Sequence, residues 1–260
     1  MQHPASHPFG PWFDVERLAR PKVGSGAGTA SGWLGFEEFL TPDVLGRVVE
    51  ATHARLRERG PLGHSRSEVR AVASTVVLGL FSRVLSPAIG AEVAGLPGYV
   101  ADVSSTYWRQ AESGPGDLGS TATASTATAT PGTPEQVLER VALPLAEAFE
   151  DQFGVPDQVL RGNLAAAVVG ACDVLRAGAP SLARRAASVR SRLFTHDLLA
   201  GTCAGTGTGA GTDRGEAPFV RTSCCQIHRL PVGFVCGSCP LVASDTPTAR
   251  RLQGRSVARR

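Results

Sequence analysis

Four of the chain's six cysteines lie in the stretch Ser223-Cys-Cys-Gln-Ile-His-Arg-Leu-Pro-Val-Gly-Phe-Val-Cys-Gly-Ser-Cys-Pro240. Its pattern is an adjacent pair, Cys224 and Cys225, then ten residues, then Cys236 and Cys239 with two residues between them. Four thiolates on one short segment can hold a metal centre without ligands from the rest of the fold. The other two cysteines, Cys172 and Cys203, are expected to be a small core residue and a free thiol.

The adjacency of the first two cysteines limits the kind of centre. Structural zinc sites favour two to four residues between the cysteines of a pair, and adjacent side chains in an extended segment point in opposite directions. Both thiolates reach one centre only where the backbone turns or where the centre is larger than one ion. A [2Fe-2S] cluster is such a centre, and its all-cysteine form takes four thiolates. The spacing favours the cluster, and zinc remains open as the alternative.

The positions around the cysteines are distinctive as well. Arg221-Thr222-Ser223 precede the pair, Arg229-Leu230-Pro231 and Gly233 lie inside the gap, and Gly237 lies between the last two cysteines. Together these residues resemble the closing motif of the FhuF-type siderophore-iron reductases. The resemblance implies a [2Fe-2S] cluster held by Cys224, Cys225, Cys236 and Cys239. It also implies one-electron reduction of ferric siderophores in the cytoplasm, with release of ferrous iron.

Weaker similarity to that family extends loosely over residues 65–240. It comprises residues 71–74 with 85–87, residues 107–109, and residues 159–163 with 165–167. The chain also departs from the family, because Arg161 stands where tryptophan is expected and Gln226 stands where an aromatic residue often follows the cysteine pair. None of these departures removes a cysteine.

Three side chains close to the cysteines are candidates for tuning the cluster. Arg221 and Arg229 flank the pair and can offset the negative charge of a cluster that gains an electron. His228 is a candidate for an N–H···S hydrogen bond or for proton uptake coupled to the electron. As a ligand it is not needed, because four cysteines are already present.

The chain shows neither a flavin nor a nicotinamide site, so the electrons must come from another protein. A ferredoxin- or flavodoxin-type donor is expected, with a ferric siderophore as the substrate. Tyr107, Trp108, Arg109 and Arg161 are candidates for contacts with either of them.

The composition excludes several other functions. A net charge of +3 is too small to imply nucleic-acid binding. The longest apolar runs, near residues 71–81 and 164–175, are shorter than the roughly 20 residues of a membrane span, and the N-terminus lacks the pattern of a secretory signal. Clustered cysteines are typical of an intracellular metal site. The expectation is a cytoplasmic protein without a membrane span.

The predicted fold is α+β and mainly helical, with a small β component. Residues 1–32 are expected to be loosely ordered, 33–217 to form a helical body with a low-complexity insertion near 112–133, 218–243 to bind the cluster, and 244–260 to be a basic disordered tail. Apolar periodicity and caps predict helices at about 42–59, 66–85, 134–152, 157–177 and 181–199, and a strand at 98–103. Pro87 is expected to end the second helix, and Pro144 to kink or split the third.

Two other functions remain open at this point. The four cysteines can hold zinc and staple a small interaction module, which a colourless, zinc-loaded protein would indicate. Alternatively, a cluster can sense iron or redox state without turning over a siderophore, which loss of the cluster in air without ferric-chelate reduction would indicate.

Overall fold

The structure, a computed structural model, describes residues 9–18, 32–96, 103–110, 116–121, 132–203, 219–232 and 235–243. The α-helices of this part are α1 Phe36–Phe39, α2 Pro42–Arg57, α3 Arg66–Ala94, α4 Pro134–Val137, α5 Leu143–Phe153, α6 Asp157–Gly178, α7 Ala183–Leu193 and α8 Pro240–Ala243. The strands are β1 Glu16–Arg17, β2 Leu34–Gly35, β3 Thr106–Arg109 and β4 Asp117–Ser120. The predicted class, α+β and mainly helical, is confirmed. The tail 244–260 lies outside the described residues.

Helix α3 is the centre of the body and packs along α6. It begins with the predicted capping box: the Ser65 hydroxyl accepts a hydrogen bond from the Glu68 amide, and the Glu68 carboxylate accepts one from the Ser65 amide. Its buried residues occupy nearly the whole circumference rather than one stripe. A helix that is apolar all round belongs in the middle of a fold, where neighbours cover every face.

The expectation that Pro87 ends this helix is wrong, because α3 continues through Pro87 to Ala94. Proline removes one backbone hydrogen bond from a helix interior. Pro87 and its neighbours Leu85 and Ile89 are buried. Burial of this apolar turn between other helices compensates for the lost bond. Pro144 was expected to kink or split the third helix, and a π-helical turn over Leu138–Ala142, directly before the first turn of α5 that holds Pro144, separates α4 from α5.

The remaining helix ends agree with the sequence to within a few residues, except for α7. The prediction extended that helix to 199, whereas it ends at Leu193 and is followed by turns.

The small sheet has the strand order β1-β4-β3-β2, in which β1 is parallel to β4 and the other neighbours are antiparallel. Strand β4 lies inside the segment predicted to be a flexible insertion, and its Leu118 is fully buried. Similarly, Phe13 of the N-terminal segment, predicted to be loosely ordered, packs into the core. The strand predicted at 98–103 falls almost wholly outside the described residues, and Val103 begins a 3-10 turn.

Two helices of the described part, α3 and α6, are long and apolar enough to cross a membrane. Their most apolar windows are 78% and 67% buried inside the protein, as in core helices. They provide no clear membrane span.

Two glycines give a test of the backbone of this helical body. Gly154 ends α5 with φ 63°, and an added Cβ would meet Arg70 only at 3.5 Å, so alanine there is opposed by backbone conformation and not by space. Gly154→Ala is expected to lower the free energy of unfolding by about 1 kcal/mol. Gly170 lies within α6 with open space around its Cα, so the matched Gly170→Ala change is expected to raise it by about 0.5–1 kcal/mol. Urea denaturation measures both free energies of unfolding. If the two substitutions changed the free energy in the same direction, the described positions of Gly154 at the end of α5 and of Gly170 inside α6 would be contradicted.

Candidate metal centre

The chain turns sharply directly after the adjacent cysteines. Gln226 has φ 64°, the left-handed conformation that side chains other than glycine rarely adopt, and a 3-10 turn follows over Ile227–Arg229. The Gln226 amide donates a hydrogen bond to Cys224 Sγ at 3.3 Å. The backbone therefore changes direction directly after the pair, and the amide of Gln226 holds the sulfur of Cys224.

The second cysteine pair lies on a tight turn. The Cys239 amide donates to the Cys236 carbonyl at 3.1 Å, closing a turn through Gly237 and Ser238. The Ser238 carbonyl accepts a hydrogen bond from the Arg221 amide at 3.1 Å. Arg221, two residues before Ser223, is therefore joined directly to Ser238, near the end of the cysteine segment.

The structure brings the four predicted ligand residues together. The Cys225 thiol donates to Cys236 Sγ at 3.5 Å, and Cys239 hydrogen-bonds to Cys224. Each contact joins one member of the first pair to one member of the second. Cys225 and Cys239 are buried, while Cys224 and Cys236 are half-buried.

A buried arginine connects the sulfurs to the helical body. Arg221 is 1% exposed. Its Nη2 donates to Cys236 Sγ at 2.7 Å and its Nη1 donates to Asn163 Oδ1 of α6 at 2.7 Å. The guanidinium thus places a positive charge against the thiols and holds them to α6.

The network continues into the central helix. Asn163 Nδ2 donates to the carbonyl and hydroxyl oxygens of Ser74 on α3, at 2.9 and 3.1 Å. The Ser74 hydroxyl in turn donates to the Cys225 carbonyl at 2.9 Å. Since Ser74 and Asn163 are both fully buried, these bonds lie in a medium of low dielectric constant, where each contributes more than in water.

Ser74 and Asn163 were not among the residues predicted for the site. Asn163 is the single asparagine of the sequence, and it lies in the interior of a helix, where asparagine is disfavoured. That placement was one signal, and the weak family resemblance over residues 71–74 and 159–163, which include both residues, was another. The partner across the fold could not be read from the sequence, because Ser74 and Cys225 are 151 positions apart.

Hydrogen bonds and charge divide the thiols into two kinds. The hydrogen bond from Cys225, aided by the Arg221 charge, lowers the pKa of Cys236 to about 7 despite burial. The same bond, together with burial, raises the pKa of Cys225, and burial raises the pKa of Cys224. Burial lowers the pKa of Arg221, but the neighbouring sulfurs of Cys225 and Cys236, through their charge when ionised and their hydrogen bonds, raise it by more. Cys236 therefore ionises more readily than Cys224 or Cys225, and the positively charged Arg221 lies beside it.

The other two residues predicted to tune the cluster, His228 and Arg229, differ in exposure. His228 Nδ1 is 3.5 Å from Cys224 Sγ, and burial, with a smaller effect from Arg229, lowers the pKa of His228, so the neutral ring is favoured. Arg229 is exposed on the same turn.

The candidates for partner contacts lie in other parts of the structure. The Trp108 ring is 1% exposed and packs on Phe39, so it is not available to a docked partner. Tyr107 is partly buried on the same strand. Arg109 pairs with Glu16 and Asp117. Arg161 pairs with Asp157 on α6.

The two remaining cysteines lie apart from this arrangement. Cys172 is fully buried in the apolar core, and burial raises its pKa to about 12. Cys203 is half-buried and forms a backbone bridge with Arg221.

The donor set fits a [2Fe-2S] cluster. Four thiols converge on one segment, with a buried cation against them to offset negative charge. Buried polar atoms of Arg221 and of Ser223, the residue next to Cys224, also lack hydrogen-bond partners: Nε and Oγ. Buried donors of this kind normally have an acceptor, and the sulfur atoms of a cluster offer acceptors close by.

Comparison with known proteins identifies the segment. Residues 221–241 match the model of a family described as the FhuF 2Fe-2S C-terminal domain. No curated protein matches the chain. The match spans the four cysteines and Arg221, and it leaves the helical body unmatched. The resemblance to FhuF-type proteins is thus confirmed for this segment, and so is the [2Fe-2S] cluster as its cofactor.

Proposed function

We propose that this protein reduces ferric siderophore complexes by one electron and releases ferrous iron in the cytoplasm. The match of the cysteine segment to the FhuF 2Fe-2S domain carries the proposal. A [2Fe-2S] cluster, when bound, exchanges one electron at a time. Cys224, Cys225, Cys236 and Cys239 hold it in this proposal, since they are the four thiols that the segment brings together.

The chain's own residues support electron exchange at the surface. Cys224 and Cys236 are half-buried, so the centre lies at the edge of the protein, where a partner can approach closely. Arg221 stabilises added negative charge from the buried side. Arg229 is exposed on the turn after the cysteine pair and presents a positive charge for an acidic donor of the ferredoxin or flavodoxin type.

Release of the iron follows from the chemistry of the substrate. Siderophore oxygens are hard ligands that hold Fe(III) much more tightly than Fe(II). One electron passes from the donor protein, through this protein, to the ferric ion. The ferrous ion then dissociates, and no bond to the siderophore has to be broken by a general acid or a nucleophile.

The test begins with anaerobically purified protein, assayed for iron, sulfide and zinc and examined by absorption and EPR spectroscopy. We expect about two irons per chain and an EPR signal that appears only on reduction. The reduced protein is then mixed with a ferric trihydroxamate and a ferric tricatecholate in the presence of a ferrous chelator, and reoxidation of the protein should match ferrous iron formed. A colourless, zinc-loaded protein would indicate the zinc module. A loaded cluster that reduces neither complex, and is lost in air, would indicate a sensor.

A further inference from the structure

A group of three side chains of metal-ligating types, outside the cysteine segment, lies where α2 leads into α3. Glu50 and His53 are three positions apart on α2, and His64 lies in the loop before α3. One ligand atom from each lies within 4.8 Å of the others. None of these residues was singled out by the sequence, because the loop that returns His64 to α2 is a feature of the folded chain.

The burial and the hydrogen bond of His53 are those typical of a metal-binding histidine. It is 1% exposed, and its Nε2 is 2.8 Å from the Gly63 carbonyl oxygen, to which it donates. Its other nitrogen, Nδ1, is buried and has no hydrogen-bond partner. Histidines that bind metals usually donate their second N–H to a carbonyl or carboxylate, which leaves the free nitrogen as the ligand. A buried acceptor without a partner is costly, and a metal ion at Nδ1 removes that cost.

The loop that carries His64 is held in place. The Gly63 amide donates to Glu68 Oε1 at 2.9 Å, so the capping box of α3 also fixes the loop. The rings of His53 and His64 lie 4.1 Å apart between centroids. The fixed loop therefore places the second imidazole beside the first, while its exposed side chain stays free to rotate.

We propose that Glu50, His53 Nδ1 and His64 bind a divalent first-row transition-metal ion such as Zn²⁺ or Fe²⁺. Two imidazoles and one carboxylate suit these ions better than Mg²⁺ or Ca²⁺, which prefer oxygen ligands alone. With bonds of about 2 Å, ligand atoms around one ion are about 3.3 Å apart. Glu50 and His64 are both exposed, so their side chains can rotate inward to close the difference.

Three protein ligands leave coordination positions for water or for a bound molecule. His64 also lines an open cleft of about 490 Å³, together with Arg66, Arg70 and Asp151. The free positions of the ion are therefore accessible from solvent.

The test uses protein whose [2Fe-2S] cluster is already loaded, so that the four thiolates are occupied. Anaerobic calorimetric titration with Zn²⁺ should show one equivalent bound per chain, and the zinc absorption edge should show nitrogen and oxygen ligands without sulfur. His64→Ala and Glu50→Gln should each weaken the affinity by at least about tenfold. Both positions are exposed, so neither variant should change the circular dichroism or the iron content.

Glu58→Gln, at an exposed position at the end of the same helix, is the matched control and should bind zinc as the wild type does. Wild-type affinity in His64→Ala, sulfur in the zinc shell, or the absence of stoichiometric binding would each overturn the proposal. The outcome is independent of siderophore reduction, which the titration does not measure.

Discussion

Replacing Cys236 with serine is expected to reduce the iron and sulfide content of the anaerobically purified protein by at least about tenfold. Cys236 receives the hydrogen bonds from Arg221 and Cys225, and its pKa is lowered to about 7. It therefore forms a thiolate more readily than Cys224 or Cys225 before the metal binds. Serine keeps the shape but offers a hydroxyl that stays protonated near neutral pH. Iron and sulfide assays on freshly purified protein measure the change.

Cys203→Ser is the matched control for this substitution. Cys203 is also half-buried, and it bridges to the backbone of Arg221, so it is close to the same segment. As a residue outside the four-cysteine set, it should leave iron, sulfide and the EPR signal unchanged. If Cys236→Ser kept a full cluster, or Cys203→Ser lost it, the ligand assignment would be wrong. Urea denaturation of both metal-free variants separates ligand loss from unfolding.

The cysteine segment could be predicted in detail because its information is local. Four ligands within sixteen residues, with Arg221 ahead of them, specify a centre almost independently of the fold. The adjacency of the pair indicated either a backbone turn or a centre larger than one ion. The turn itself, at Gln226, could not be located, because that residue type does not favour a positive φ.

The helices of the body could be predicted where the sequence showed a helix cap or apolar residues at helical spacing. The Ser65 box is of this kind. Pro87 was misread because local propensity was taken as decisive, whereas burial on all sides of α3 outweighs one missing hydrogen bond. The two-residue strands β1 and β2 exist only through pairing with β4 and β3, and so leave no pattern of their own.

The attachment of the cluster segment to the body depends on contacts between residues far apart in the chain. Ser74 and Asn163 are ordinary residues on two apolar helices, and their role appears only when α3 and α6 pack side by side. They explain why the segment has a fixed position on the body. Arg221 completes this attachment, because its guanidinium hydrogen-bonds both to Cys236 Sγ and to Asn163 of α6.

Arg221→Gln is expected to lower the reduction potential of the cluster-loaded protein. A buried cation next to the cysteine sulfurs stabilises the more negative, reduced state, so removing its charge favours the oxidised state. At about 5 Å and an effective dielectric constant of about 20, one unit charge is worth about 3 kcal/mol, or on the order of 100 mV for a one-electron couple. Anaerobic redox titration followed by EPR measures this shift.

Two further variants separate the charge of Arg221 from its hydrogen bonds. Arg221→Lys keeps the positive charge, so the reduction potential should stay near the wild-type value. Lysine cannot, however, donate to both Asn163 and Cys236 through one planar group as arginine does. The free energy of unfolding of this variant should therefore fall by about 1–3 kcal/mol, since a buried polar group loses its partner. Arg229→Gln removes an exposed charge on the turn that follows the cysteine pair. Because solvent screens that charge, the reduction potential and the free energy of unfolding should both change little. An unchanged potential in a fully loaded Arg221→Gln protein would show that the guanidinium only anchors the segment, and the buried charge would then have no part in setting the electron affinity of the centre.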